Sequence, residues 1–188
     1  LAVGLTLTLG LLRITNLTHG AYYLLGGQLA IATIALTGTF LAGLAVAALS
    51  MGALGWWMER SLFGRYARDE RAQVVLSLGL LFLLGDLSQA VWGGTPRTVP
   101  VPAFLQGTVA IGEQLFPVYR LALVAAGAIV ALVLGLVVER TRAGMMLRAT
   151  ADDPDLAQAM RVNVPLVRSA TFSAGALLAG CAGALGGP

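Results

Sequence analysis

The sequence contains no lysine, one cysteine and one histidine, and charged residues make up only 11% of its 188 positions. Cys181 therefore has no partner for a disulfide, and His19 has no cluster of further metal ligands around it, so no metal or other cofactor is expected. The twelve basic residues are all arginines and are spread over separate segments, which argues against nucleic-acid binding. So little charge also excludes an ordinary soluble domain.

Apolar residues make up 57% of the chain, and its mean hydropathy is +0.83, which predicts an integral membrane protein. As one helix, residues 14–58 would measure roughly 68 Å, against a hydrocarbon core of ~30 Å. The chain must therefore turn back, and "TGTF" at residues 37–40 is the best break. The predicted fold class is all-α, a polytopic transmembrane helix bundle with spans near Ala21–Leu36, Phe40–Met58, Ala72–Trp92, Leu121–Val138 and Ser169–Gly187.

The ends of the chain predict that residues 1–188 are one transmembrane domain that is incomplete at both ends. Leu1–Leu12 resembles the tail of an earlier helix, and "GALGGP" closes the sequence inside an apolar pattern. Four arginines mark residues 59–71 and five mark residues 139–168, whereas the intervening connection carries two. Because basic loops are retained in the cytoplasm, both arginine-rich loops are expected on that side of the membrane.

A polar ridge precedes the first complete span, in "RITNLTHG". Arg13, Asn16 and His19 recur at three-residue intervals and would share one face of a helix. One interpretation places these side chains, with Gly20, along a translocation path or its cytoplasmic gate, because polar groups avoid lipid. The other interpretation is structural: arginine reaches the interface, and Asn16 and His19 bind backbone where the chain turns. We favour the structural interpretation, since polar contacts join helices in any bundle.

The segment "ATADDPDLAQAM" predicts a short helix over residues 154–160. Asp153 can cap its first turn, and Pro154 suits the first helical position. Leu156, Ala157 and Met160 would then form a small apolar face. Such a helix is either a docking element for a partner's groove or an interfacial helix lying on lipid headgroups, and these residues alone do not separate the two.

Two motifs in this order resemble the permease subunits of branched-chain amino-acid ABC importers. The first is "GLTLTLGLLRITNLTHG", which matches the family pattern at Gly4, Leu5, Leu7, Gly10, Arg13, Asn16, His19 and Gly20. The second is similar to the family's cytoplasmic loop that contacts the ATPase, and it matches at Arg140, Thr141, Arg142, Gly144, Leu147, Arg148, Ala149, Asp153, Pro154, Ala157, Asn163 and Val164. Arg161 departs from the family, which usually has glycine there, so it must either adopt a costlier backbone or let the helix continue.

The resemblance implies a multi-pass permease of the bacterial inner membrane that imports branched-chain or related small amino acids or amides. It implies a cytoplasmic coupling loop at about residues 139–168, with Gly144, Arg148, Ala149, Asp153, Pro154, Leu156, Ala157 and Met160 as the candidate coupling residues. The implied partners are ATP-binding subunits, a second permease subunit and an external or periplasmic substrate-binding protein. ATP hydrolysis is expected on the separate subunits, and an ion-coupled secondary transporter or channel subunit is the alternative function.

An enzymatic role has little support in the sequence. The chain has neither H-E-x-x-H nor G-x-S-x-G, and no glycine-rich phosphate loop. A transport subunit is therefore expected rather than an enzyme.

Overall fold

The fold is a bundle of long apolar helices in a computed structural model that describes residues 2–6, 16–67, 69–93, 107–111 and 114–186. Five of the described helices, namely α2, α3, α4, α5 and α8, are long and apolar enough to cross a membrane, which confirms the predicted all-α polytopic bundle. The elements in chain order are α1 (Ala2–Leu5), α2 (His19–Thr37), α3 (Phe40–Ser61), a 3-10 turn (Phe63–Tyr66), α4 (Glu70–Trp92), β1 (Thr108–Ile111), β2 (Gln114–Pro117), α5 (Val118–Arg140), α6 (Arg142–Asp152), α7 (Pro154–Ala159) and α8 (Val164–Leu185).

The break between α2 and α3 lies at the predicted "TGTF" sequence. Gly38 has a φ of 67°, and its N–H donates to the carbonyl of Ile34 at 2.8 Å. Glycine adopts this left-handed conformation without a Cβ clash, so it ends α2 and frees the chain to reverse into α3. Local sequence is therefore sufficient to place this turn.

Three features differ from the sequence prediction. The supposed loop at residues 139–168 is mostly helical, because it contains α6, α7 and the start of α8. Helix α8 begins at Val164, five residues earlier than predicted, where Asn163 Oδ1 accepts a hydrogen bond from the Leu166 N–H at 3.1 Å. An antiparallel hairpin of β1 and β2, unpredicted by the sequence, pairs Thr108 with Pro117. Of the predicted Leu1–Leu12 helix, Ala2–Leu5 forms α1, while residue 1 and residues 7–15 lie outside the described part of the chain.

Helix α8 packs against both α2 and α3 through small residues. A Cβ atom at Gly26 of α2 would lie 2.6 Å from Gly180 Cα, and a Cβ at Gly55 of α3 would lie 2.5 Å from Ala176 Cβ. The successive contacts show that α8 runs parallel to α2 and antiparallel to α3. In lipid, such close backbone approach provides the dispersion contacts that hold helices together. Gly175, Ala179 and Gly183, which lie four residues apart on one face of α8, are all buried.

Helix α5 lies at the edge of the bundle. Tyr119 is its only buried residue, and the Tyr119 hydroxyl donates to the Leu185 carbonyl at 2.5 Å. The rest of α5 exposes apolar side chains, as a membrane helix does where it faces hydrocarbon. Because Tyr119 begins α5 and Leu185 ends α8, these two helices are antiparallel.

One end of the bundle carries most of the arginines. Helices α3 and α5 end there and α4 and α8 begin there, with α6 and α7 beside them. We call this the arginine-rich end; its described arginines are Arg60, Arg65, Arg71, Arg140, Arg142, Arg148, Arg161 and Arg168. The helix directions therefore bring the two predicted arginine-rich loops to the same end.

We expect Gly26→Ala to destabilise the bundle by about 1–3 kcal/mol, because its methyl group would overlap the Gly180 backbone. Gly79→Ala on α4 is the matched control, since a Cβ there has no neighbouring atom within 4 Å. In that open position alanine should be neutral or should stabilise the helix by about 0.5–1 kcal/mol. Thermal unfolding of the two purified variants in one detergent measures the difference, and equal melting temperatures would contradict the packing assignment.

Candidate functional site

Residues 142–163 join α5 to α8 at the arginine-rich end and contain α6 and α7. We call them the docking segment, after the docking role that the sequence predicts as one of two interpretations. Asp153 begins α7, and its Oδ1 accepts hydrogen bonds from the N–H groups of Asp155 at 3.0 Å and Leu156 at 2.9 Å. Pro154 occupies the first turn, where its missing N–H costs nothing. The predicted cap and helix start are confirmed.

The apolar residues of α7 do not share one surface. Ala157 is buried against the bundle, whereas Leu156 is 59% exposed and Met160 is 73% exposed. Helix α7 ends at Ala159, with Met160 as its C-cap, one residue before the predicted end. The expectation of a three-residue face was therefore wrong for Ala157, because this six-residue helix packs against α6 and α8 and turns one of its apolar residues inward.

Helix α6 is fixed to the last turn of α5. The Gly144 N–H donates to Thr141 Oγ1 at 3.1 Å, and a Cβ at Gly144 would overlap the carbonyl groups of Val137 and Val138. The Arg148 guanidinium donates a hydrogen bond to the Val138 carbonyl. Two of the candidate coupling residues, Gly144 and Arg148, thus hold the segment in place, while Ala149 and Pro154 are exposed.

The turn from α7 into α8 contains the departure noted in the sequence. Arg161 adopts a φ of 65°, so it takes the left-handed backbone in place of continuing the helix. Its N–H donates to the Gln158 carbonyl, and the Val162 N–H donates to the Ala157 carbonyl, each at 3.0 Å. These two bonds close the end of α7, and α8 begins only two residues after Val162.

The described part of the polar ridge lies inside the bundle. Asn16 is 1% exposed and His19 is 3% exposed, whereas Gly20 lies on the surface. Asn16 Oδ1 accepts a hydrogen bond from the Thr18 N–H at 3.1 Å, just before α2. Asn16 Nδ2 and both ring nitrogens of His19 find no hydrogen-bond partner within the described residues. Arg13 lies outside them.

The start of α2 is attached to α3 and α4 by polar contacts. Thr18 Oγ1 donates to the Ser77 carbonyl of α4 at 3.2 Å. The Tyr22 hydroxyl lies 3.2 Å from Met58 Sδ of α3, and the Tyr22 ring meets His19 edge-on, with centroids 6.2 Å apart. Asn16 and His19 thus lie among interhelical contacts, which leaves their role in a path or gate as a prediction.

Sequence reasoning missed a buried charged cluster at the arginine-rich end. Glu59 was placed in an exposed loop, but it is 3% exposed and accepts hydrogen bonds from Arg168 Nε, at 3.4 Å, and from Ser169 Oγ. One signal was available in the sequence: Glu59 continues the helical face that Gly52 and Gly55 begin. Both glycines pack against α8, so a residue on the same face is expected to meet that helix as well.

These features define a multi-pass membrane protein whose helices are joined through small residues and whose loops display a short capped helix at one end. The chain belongs to the family described as the permease component of the branched-chain amino acid transport system, which it matches over residues 1–187.

The alignments with three named relatives each cover almost the whole chain. The high-affinity branched-chain amino acid transport system permease protein LivH of Escherichia coli K12 is 28% identical over an alignment 200 residues long, which covers 98% of this chain. The probable LivH permease of Methanocaldococcus jannaschii is 28% identical over 194 residues, and BraD of Pseudomonas aeruginosa is 25% identical over 203 residues. This chain spans 64% of the length of the E. coli relative. No solved structure matches it significantly.

Because Arg161 occupies the left-handed region, Arg161→Gly should stabilise the protein. The left-handed conformation costs an L-residue ~1–2 kcal/mol, and glycine avoids this cost. Glycine also loses more backbone entropy on folding, which costs ~0.5–1 kcal/mol, so a net stabilisation of about 0.5–1 kcal/mol is expected. Arg161→Ala keeps the strained backbone and removes only the charge, which makes it the control. Thermal unfolding that ranks Arg161→Gly no higher than Arg161→Ala would contradict this assignment.

Proposed function

We propose that the chain is the membrane-spanning permease part of an ATP-driven importer for branched-chain amino acids or related small amino acids and amides. The observation that carries the proposal is the docking segment, where a capped helix fixed to the bundle exposes Leu156 and Met160. Large apolar side chains held out on a helix suit a hydrophobic groove on a partner protein. The names of the relatives support the substrate class.

The proposed complex contains this permease, a second permease subunit, two ATP-binding subunits and a soluble substrate-binding protein. We place it in the bacterial inner membrane, with the arginine-rich end in the cytoplasm, as the positive-inside rule indicates. ATP hydrolysis then takes place on the separate ATP-binding subunits, and this chain moves the substrate without catalysing a reaction.

We assign the residues of the docking segment to two roles. Leu156 and Met160 enter the ATPase groove, and Ala149 and Pro154 border the same exposed surface. Gly144, Arg148, Asp153 and Ala157 hold that surface in position, since their contacts are within this chain.

For the polar ridge we propose that Asn16 and His19 secure the start of α2, because both are buried beside interhelical contacts. Arg13 and Gly20 are the ridge positions that we propose for the path or the cytoplasmic gate. Gly20 lies on the bundle surface, where a second permease subunit would face it.

Replacing both Leu156 and Met160 with Asp should abolish ATP-driven import while the helices remain inserted. Each carboxylate would have to enter an apolar groove, which costs several kcal/mol. Asp153→Ala should be milder, about 0.5–2 kcal/mol, because only a helix cap is lost. The measurement is substrate-stimulated ATP hydrolysis by the complete complex in proteoliposomes.

The control is Gln158→Asp, which adds a charge to the same helix on the side that faces a cavity in this chain. It should retain ATPase binding and stimulated hydrolysis. If the double Asp variant still assembles with the ATP-binding subunits and stimulates hydrolysis normally, α7 is not the coupling element. An ion-coupled carrier or channel would then be the better assignment.

The orientation can be tested by labelling single cysteines in a Cys181→Ala background. A cysteine at position 65, in the exposed 3-10 turn, should resist an impermeant reagent added outside intact cells, because that turn is placed in the cytoplasm. A cysteine at position 148 should behave in the same way, and both should react after the cells are opened. Labelling of either position in intact cells would reverse the proposed topology.

A further inference from the structure

A buried carboxylate joins the end of α3 to the start of α8. Glu59 Oε1 accepts from Arg168 Nε at 3.4 Å, and Glu59 Oε2 accepts from the Ser169 hydroxyl. Both partners belong to the first turns of α8, and Ser169 is buried like Glu59. A charge this deep needs its partners, because removing one of them leaves the other charge uncompensated.

Arg168 also reaches the turn that follows α3. Its Nη1 donates to the Ala67 carbonyl at 3.4 Å, while its Nη2 is buried without a hydrogen-bond partner in the described part of the chain. One guanidinium therefore contacts both the last turn of α3 and the connection to α4. Arg168 therefore connects the start of α8 with the end of α3 and with the turn that follows α3.

A cavity of about 470 Å³ separates the docking segment from the end of α3. Pro154 and Gln158 of α7 line one side of it, Arg60 and Arg65 line the other, and Arg168 and Ser169 form part of its wall. Open space therefore lies between α7 and the end of α3. The cluster of Glu59, Arg168 and Ser169 is the hydrogen-bonded connection beside it.

The connection from α7 to α8 is short and closed by hydrogen bonds. The Val162 N–H donates to the Ala157 carbonyl at 3.0 Å, and the Val164 N–H donates to the Val162 carbonyl at 2.9 Å. This connection therefore joins α7 directly to the first turns of α8, where Arg168 and Ser169 lie. The cavity leaves open space between α7 and the end of α3.

We infer that Glu59 is a positioning residue for transport: it holds Arg168 and Ser169, and through them transmits movement of the docking segment to α3. This inference rests on the proposed function, since it requires an ATPase that moves α7. A purely structural contact would affect only folding and abundance. A coupling contact also sets how much ATP the complex hydrolyses for each substrate molecule imported.

The test uses the complete complex in proteoliposomes and compares wild type with Glu59→Gln. Glutamine keeps an acceptor for the Ser169 hydroxyl and removes the charge that binds Arg168. We expect normal assembly with the ATP-binding subunits and an increase of about ten-fold in ATP hydrolysed per substrate imported, the size of a typical coupling free energy between two sites. Glu70→Gln, an exposed glutamate at the start of α4 and outside the coupling loop, is the control and should leave this ratio unchanged.

A second variant keeps the test decisive if Glu59→Gln folds poorly because Arg168 is left uncompensated. The double variant Glu59→Gln with Arg168→Gln removes both charges and should regain abundance. If the double variant regains abundance but still hydrolyses more ATP per substrate imported than wild type does, the coupling role is supported.

An unchanged ratio of hydrolysis to import in whichever variant assembles would overturn the inference and leave the proposed function intact. If wild type itself shows no ATP-driven import, the proposed function fails, and the role of Glu59 fails with it.

Discussion

The structure depends on the close approach of α8 to α2 and α3. Lipid chains solvate apolar side chains as well as other helices do, so helix association in a membrane needs tight backbone packing. Gly26 against Gly180 and Gly55 against Ala176 provide such packing, because no larger pair of side chains fits at those distances. These contacts also fix the register of α3 along α8, and that register brings Glu59 opposite Ser169.

Some of the buried polar groups form hydrogen bonds between helices. Thr18 reaches the Ser77 carbonyl of α4, and Ser173 Oγ donates to the Gly52 carbonyl of α3 at 2.7 Å. The bond from Ser173 forms at the register of α3 and α8 that their small residues set. A single sliding motion between α3 and α8 would break both the small-residue packing and the Glu59 cluster, which makes the pair move as a unit.

The features that the sequence predicts well are those determined by neighbouring residues. The five spans follow from apolar runs, the break at Gly38 from a glycine that can adopt positive φ, and the cap at Asp153 from its position two residues before Asp155. The missed features need contacts between distant residues. The burial of Glu59 requires Arg168 and Ser169 of α8, more than a hundred positions away. Leu156 is exposed and Ala157 is buried, and this difference likewise depends on which side of α7 packs against the rest of the protein.

The backbone of Arg161 illustrates how a distant constraint overrides a local preference. An arginine would favour continuation of α7, because its charge is favourable near the negative end of a helix. Continuation is not available, since α8 must begin at Val164, where Asn163 caps it and where the next turn is bound to Glu59. The chain therefore has only a few residues in which to reverse, and the left-handed conformation at Arg161 achieves the reversal. The strain at this one position follows from the packing that fixes the start of α8.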